Sequence, residues 1–174
     1  MSQTITQPTD TQQRFSDLLD EHQAVVAKVA RTYAWQREDQ EELAQEIVAQ
    51  LWRAFPRFDA QQRFSTWMYR VSLNTAITWV RRHTMRQRHV TTLGDEVEAI
   101  ADQSPSLEND ERRTFLMDFI SACTPLNRAL LLLYLEDHSH RDIAAVLGIS
   151  ESNVATKINR LKQQARRLHA AATH

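Results

Sequence analysis

Glycine and proline, the residues that most readily end a helix, are scarce in this chain, which has two glycines and four prolines among 174 residues. Nearly all of them stand between segments whose apolar residues recur every three or four positions, the spacing of an amphipathic helix. No long segment alternates apolar and polar residues, as a half-buried strand would. The sequence therefore predicts an all-α fold.

The cysteine count and the distribution of apolar residues indicate where the protein is expected to lie in the cell. The single cysteine, Cys123, excludes an internal disulfide and fits a reducing compartment. The first residues lack the basic and then apolar pattern of a signal peptide, and the longest apolar run, 129–135, is too short to cross a bilayer. We therefore expect a cytoplasmic protein with no direct membrane insertion.

Residues 139–162 have the pattern of two short helices around a tight turn. Ser139 and Asp142 match a capping box, Gly148 suits the left-handed residue that ends a helix, and Ser150 is placed to cap the second helix. This spacing is typical of a DNA-binding helix-turn-helix, with an ordinary helical hairpin as the alternative. The second helix points short polar and basic side chains outward, as base-edge and phosphate contacts require: Ser152, Asn153, Thr156, Lys157, Asn159 and Arg160.

Charge is segregated along the chain although the formal net charge is only −1. Positions 60–94 hold six arginines and no acidic residue, whereas positions 95–111 hold seven acidic residues and no basic one. This pattern is typical of two nucleic-acid-binding modules joined by a solvated linker. A linker over 89–111 would relax to roughly 25–29 Å as free coil. Two DNA elements a couple of duplex turns apart, at roughly 34 Å per turn, then require a third partner that holds the linker extended.

The helix predicted over 66–82 has apolar residues on two flanks and a narrow polar stripe between them. Arg70, Asn74 and Arg81 fall within about 40° of each other on a helical wheel. A basic stripe near Phe58 and Phe64 suits phosphate contacts together with stacking on unpaired bases. Most of the nearby aromatic side chains are expected to lie in the core.

Two earlier helices complete the first module. Periodicity over 15–33 predicts an amphipathic helix of about five turns, and Asp39 with Glu42 predicts a capping box that opens the next helix. Ser65 is predicted to cap the third helix. The outer face of the second helix carries Glu42, Gln45, Glu46, Ala49 and Arg53. It fits either plain solvent exposure or a docking surface for a large partner, and periodicity alone favours solvent exposure.

These segments together resemble the sigma-70 family of RNA polymerase sigma factors, in its small two-domain extracytoplasmic-function type. Region 2 of that family is similar to ELAQEIVAQLWRAFPRFD followed by FSTWMYRVSLNTAITWVRR. Region 4 is similar to LNRALLLLYLEDHSHRDIAAVLGISESNVATKINRLKQQARR. The predicted organisation is a tail (1–13), a region 2-like helical domain (14–88), an acidic flexible linker (89–111), a region 4-like helix-turn-helix domain (112–168) and a tail (169–174).

The resemblance implies a transcription initiation factor that binds core RNA polymerase and promoter DNA and is held inactive by an anti-sigma factor. The outer face of the second helix (Glu42, Gln45, Glu46, Ala49, Arg53) would then dock on the polymerase. The −10 element would contact Phe58, Arg63, Phe64, Arg70, Asn74 and Arg81, with the loop 56–64 taking a flipped-out base. The −35 element would meet the second helix of the helix-turn-helix, where Ala155 replaces a Lys or Arg that the family often has.

Two other classes of protein remain as alternatives at this point. A stand-alone helix-turn-helix regulator that binds duplex DNA as a dimer explains residues 139–162 but not the acid-free, aromatic stretch. A helical-bundle enzyme is disfavoured, since the sequence has no phosphate-binding glycine loop and no recognisable zinc or Cys–His site. We therefore expect no catalytic residue, metal, cofactor or small-molecule substrate.

Overall fold

The computed structural model describes residues 10–90 and 107–172, with side chains placed for 10–84 and 111–171. These residues contain no strand, so the all-α prediction is confirmed. None of the helices within this part of the chain is both long and apolar enough to cross a bilayer. The helices are α1 (Asp10–Tyr33), α2 (Arg37–Ala54), α3 (Phe64–Val90), α4 (Leu107–Ala122), α5 (Pro125–Leu135), α6 (His140–Leu147) and α7 (Glu151–Ala172).

The N-terminal half is a three-helix bundle in which α1, α2 and α3 each pack against the other two. Its centre is formed by side chains that are completely buried, among them Val29 of α1, Leu43 and Ile47 of α2, and Met68 of α3. Each of these residues lies on the apolar stripe of its helix, so the bundle follows directly from the helical periodicity. The bundle presents the outer faces of α2 and α3 to solvent.

The C-terminal half packs α5, α6 and α7 against one another, with α4 lying against α5. Leu130 and Leu133 of α5, Ile143 of α6 and Val154 of α7 are fully buried at its centre. Thr124 caps α5, since its hydroxyl accepts a hydrogen bond from the Asn127 amide. This small core holds α6 and α7 in the two-helix arrangement that the turn predicts.

Two of the predicted helix starts are wrong. Helix α2 begins at Arg37, so Asp39 lies inside its first turn, and the N-cap residue Gln36 makes no side-chain capping bond. Helix α3 begins at Phe64, so Ser65 lies within the helix. An acidic residue also stabilises the first turn through the helix dipole, and such a residue is easily mistaken for a cap.

The predicted first domain, 14–88, begins and ends inside helices of the structure. Helix α1 begins at Asp10, four residues before the predicted start of the first domain, and α3 continues to Val90. Most of the predicted linker, 91–106, lies outside the described residues, as do 1–9 and 173–174 of the tails. The acidic flexible linker and the domain boundaries remain predictions.

Candidate nucleic-acid interface

The turn between α6 and α7 has the local structure that its sequence predicts. The Ser139 hydroxyl accepts a hydrogen bond from the Asp142 amide at 3.1 Å and donates one to the Asp142 carboxylate at 2.7 Å. Gly148 ends α6 with φ 68°, a left-handed conformation that glycine adopts without steric cost. The Ser150 hydroxyl accepts from the Asn153 amide at 3.2 Å. Both caps and the glycine turn are therefore confirmed.

Helix α7 is held against the core by Val154, Ile158 and Leu161, each less than 5% exposed. Its opposite face carries the predicted DNA-reading side chains. Of that set Ser152, Asn153, Thr156, Asn159 and Arg160 are exposed, whereas Lys157 is half-buried. The geometry thus leaves five of the six side chains open to an approaching duplex.

The polar stripe of α3 is exposed along its length, at Arg70, Asn74 and Arg81. One of its members already has a partner in the chain, because the Arg70 guanidinium donates a hydrogen bond to the Ala145 carbonyl of α6. The exposure of the stripe agrees with the sequence analysis. The bond from Arg70 to the other half of the molecule was not foreseen.

The loop between α2 and α3 lies beside a cluster of aromatic side chains. Phe64 and Trp67 are buried, whereas Phe58 is half-buried and meets Phe64 edge-to-face at 5.4 Å between ring centroids. His22 of α1 stacks on Phe64, with 5.4 Å between the rings. Of the two phenylalanines predicted to meet DNA, Phe58 therefore has the more accessible ring, and Phe64 supports it from below.

The same loop forms one side of an open cavity of about 580 Å³. A turn shapes the loop there, since the Asp59 carboxylate accepts a hydrogen bond from the Gln61 amide at 2.9 Å. The opposite side of the cavity comes from the first turns of α1. Sequence analysis missed this side, because no local pattern connects the start of α1 with a loop about 45 residues later.

The predicted docking face of α2 is divided in the structure. Gln45, Ala49 and the exposed Trp52 line a largely apolar groove of about 830 Å³ between α1 and α2. Glu46 instead turns towards α3, where its carboxylate pairs with Arg82. Glu42 and Arg53 are exposed. Trp52 is therefore a missed candidate, although its place one turn after Val48 on the helix could have indicated it.

The two halves are packed together through α1 and α3 on one side and α4, α5 and α6 on the other. The Tyr33 hydroxyl donates to the Pro125 carbonyl at 2.6 Å. Glu136, which follows α5, accepts from the Tyr69 hydroxyl at 2.5 Å and pairs with the Lys28 ammonium at 2.5 Å. We call the group of Lys28, Tyr69 and Glu136 the junction cluster.

The junction cluster holds its carboxylate in the charged form. Burial raises the pKa of Glu136, but the hydrogen bonds from Lys28 and Tyr69, with the charges of Lys28 and His138, outweigh burial and leave the pKa below its ordinary value. Burial, followed by the bond to Glu136, raises the pKa of Tyr69 above its already alkaline ordinary value, which keeps this hydroxyl a donor to Glu136. The charged carboxylate therefore stabilises the contact between the halves.

This contact should weaken in acid. A lowered carboxyl pKa adds stability above the unfolded value of about 4.3, and that stability disappears as pH falls through the folded pKa. Energy transfer between one dye in each half should thus decrease below about pH 4.3. Glu136→Gln should show weaker transfer already at pH 7 and a smaller acid-induced change. Identical pH profiles for the two proteins would contradict a role for the junction cluster in holding the halves together.

In the residues with described side chains, no three His, Cys, Asp or Glu side chains come together as a metal site would require. The features that do stand out are an exposed polar face on α7, an exposed basic stripe on α3, and the cavity and groove beside α1. These are surfaces suited to binding extended partners.

Each half of the chain matches the model of a known protein family. Residues 18–86 match Sigma-70 region 2, and residues 116–164 match Sigma-70, region 4. A probable RNA polymerase sigma factor, RfaY of Xanthomonas campestris, is 26% identical over 89% of this chain, which spans 40% of the RfaY length. The RNA polymerase sigma factor CnrH of Cupriavidus metallidurans is 25% identical over 87% of the chain and 84% of CnrH.

A solved structure shares the fold as well. The sigma factor RpoE of Bartonella quintana, crystallised with the anti-sigma factor NepR, superposes with a TM-score of 0.69 at 18% identity. The superposition covers 91% of this chain and 98% of RpoE. At that identity the likeness concerns the arrangement of helices, which therefore extends through both halves.

Proposed function

The chain belongs to the sigma-70 family, in its extracytoplasmic-function group, whose members direct RNA polymerase to promoters, and from this premise we propose how its surfaces divide that work. The observation that carries the proposal is the order of the two regions, each with an exposed polar face on the helix expected to meet DNA. The alternative of a stand-alone regulator is not favoured, because it leaves the region 2 match over 18–86 unexplained.

In the proposed mechanism the chain binds promoter DNA and positions the polymerase on it, and the polymerase supplies the catalytic chemistry. Helix α7 reads the −35 duplex through Ser152, Asn153, Thr156, Asn159 and Arg160, with Lys157 at the edge. The loop 56–64 takes an unstacked base of the −10 element, at a cost of a few kcal/mol that its aromatic wall offsets. Arg63, Arg70, Asn74 and Arg81 hold the adjoining backbone. No metal, cofactor or small-molecule substrate enters this mechanism.

The groove between α1 and α2 is the proposed polymerase contact. Its apolar floor and the exposed ring of Trp52 suit burial against a large partner, since aromatic anchors in a desolvated groove dominate interface energetics. Gln45 and Ala49 line the groove, and Glu42 and Arg53 flank it on α2. Glu46 contributes to the polymerase contact only if its ion pair with Arg82 breaks. This division makes Gln45 and Ala49 the first residues to test.

The packed halves require a rearrangement before promoter binding. With α3 and α6 in contact, the two DNA-facing helices belong to one compact body, whereas −10 and −35 elements lie a couple of duplex turns apart, at about 34 Å per turn. Arg70 is bonded to Ala145, and Arg63 lies near enough to Asp142 to assist the Ser139 hydrogen bond in lowering the pKa of that carboxyl. We propose that binding to the polymerase separates the halves and frees both arginines.

An anti-sigma factor is the proposed negative regulator, since the structurally similar RpoE was solved with NepR. The groove between α1 and α2 is the surface that such a partner would block to exclude polymerase. We place the chain in the cytoplasm, where polymerase and promoter DNA are found.

In vitro transcription tests the proposal directly. Core RNA polymerase with this chain should initiate at a defined subset of a promoter library, and neither protein alone should do so. A gel-shift arm separates the alternative, because a stand-alone regulator binds duplex promoter without polymerase. Retention of promoter duplex by the chain alone, with no effect on start-site choice, would overturn the proposal.

A further inference from the structure

The cavity beside the loop 56–64 has two chemically different walls. The loop wall supplies ring surface from Phe58 and Phe64, with Ala60 and the half-buried Gln62 beside them. The α1 wall supplies polar and charged side chains, among them Gln13, Arg14 and Asp17. These three residues share one face of α1, because their spacings of one, three and four residues keep them within about 100° on a helix.

The two walls would do different things to an unpaired base. Ring surface stacks on any base, since every base has a π-face, so the phenylalanine wall gives affinity with little selectivity. Selectivity comes from hydrogen bonds to the edge of a base. A carboxylate only accepts hydrogen bonds and a guanidinium only donates them, so Asp17 and Arg14 together distinguish base amino groups from base carbonyls.

Asp17 is also held in place for such a role. The Gln13 amide donates a hydrogen bond to the Asp17 carboxylate at 2.8 Å. Each carboxylate oxygen has a second lone pair, so this bond orients Asp17 without exhausting its capacity to accept. All three side chains are exposed, so they are accessible to a base that enters the cavity.

We infer that Arg14 and Asp17 of α1, with Gln13 orienting Asp17, determine which unpaired base the cavity accepts. The inference rests on the proposed function, which brings a flipped-out base to the loop, and extends it to residues about 45 positions away in sequence. Asp17 meets an exocyclic amino group of the base, and Arg14 meets a carbonyl or ring nitrogen on the same edge. The loop holds the ring and α1 reads its identity.

Transcription from pre-melted templates tests this inference. Four templates carry A, C, G or T at the same unpaired −10 position, and core polymerase loaded with each variant is assayed on all four. Asp17→Asn replaces one acceptor oxygen by a donor, so it should change the preference between bases by about tenfold, the scale of one base contact. Arg14→Gln should change the preference as well, with a different base favoured.

The matched control is Asp20→Asn, which makes the same chemical change on an exposed residue of α1 that does not line the cavity. It should leave the ranking of the four templates unchanged. An equal loss on all four templates for Asp17→Asn, or no change at all, would overturn the role of α1. If the unaltered chain distinguishes no base at any unpaired position, the proposed role of the loop fails first, and the inference falls with it.

Discussion

An Ala49→Glu substitution should reduce the affinity of the chain for core RNA polymerase by at least about 100-fold. Ala49 lies in the largely apolar groove between α1 and α2, where close contact with a partner would desolvate the new carboxylate. Burying an unpaired charge costs about 3 kcal/mol or more, and each 1.4 kcal/mol is a factor of about ten in the dissociation constant. Titration of labelled chain with core polymerase, followed by fluorescence anisotropy, measures the change.

The control for this prediction is Ala170→Glu, which places the same side chain on an exposed residue in the last turn of α7. Its polymerase affinity should match that of the unaltered chain. Gln45→Glu provides a milder second variant, because Gln45 lines the groove but is itself exposed, and it should weaken binding by a smaller factor. Circular dichroism confirms that each variant is folded. Unchanged affinity for Ala49→Glu would exclude the groove as the polymerase contact.

The substitution Arg160→Ala should weaken discrimination at the base pair of the −35 element that Arg160 contacts, while leaving polymerase binding intact. Arg160 is exposed on the outward face of α7, and a side chain that contacts one base pair contributes about 1–3 kcal/mol of discrimination, or about five- to 150-fold. The ratio of transcription from native and mutated −35 templates should therefore fall towards one. Polymerase affinity should not change, because the groove beside α1 lies in the other half of the molecule.

Arg167→Ala serves as the matched control, since Arg167 is also exposed on α7 but lies two turns beyond Arg160. Loss of a positive charge there should weaken DNA binding slightly and equally on all templates, because phosphate contacts carry no sequence information. A native-to-mutated ratio that is the same for Arg160→Ala and the unaltered chain would remove Arg160 from the −35 contact.

Sequence reasoning worked best where structure is set within a few residues. The turn between α6 and α7 depends on Ser139, Asp142, Gly148 and Ser150, each of which acts on the backbone of its near neighbours. It was less accurate at the starts of α2 and α3, where Asp39 and Ser65 lie inside the helices. Helix α2 begins without a side-chain cap, and the acidic residues of its first turn were mistaken for one.

Helical periodicity predicted which side chains lie on outward faces, but it could not predict which of them already have a bonding partner elsewhere in the chain. Arg70 and Glu46 lie on outward faces as expected, yet Arg70 is bonded to Ala145 and Glu46 to Arg82. Their partners are 75 and 36 residues away in the chain. No helical spacing connects positions so far apart, so the availability of these two side chains for DNA or polymerase depends on the packing of the halves.

The amino-acid pattern by itself determined the helical class, the caps and glycine of the helix-turn-helix, and the faces that α3 and α7 turn outward, because each follows from hydrogen bonds and side-chain spacing within one or two turns. Tertiary structure alone decided the cavity between α1 and the loop 56–64, the groove beside Trp52, and the junction cluster of Lys28, Tyr69 and Glu136. These sites join residues from different helices, and only the packing of complementary apolar stripes brings such residues within contact distance.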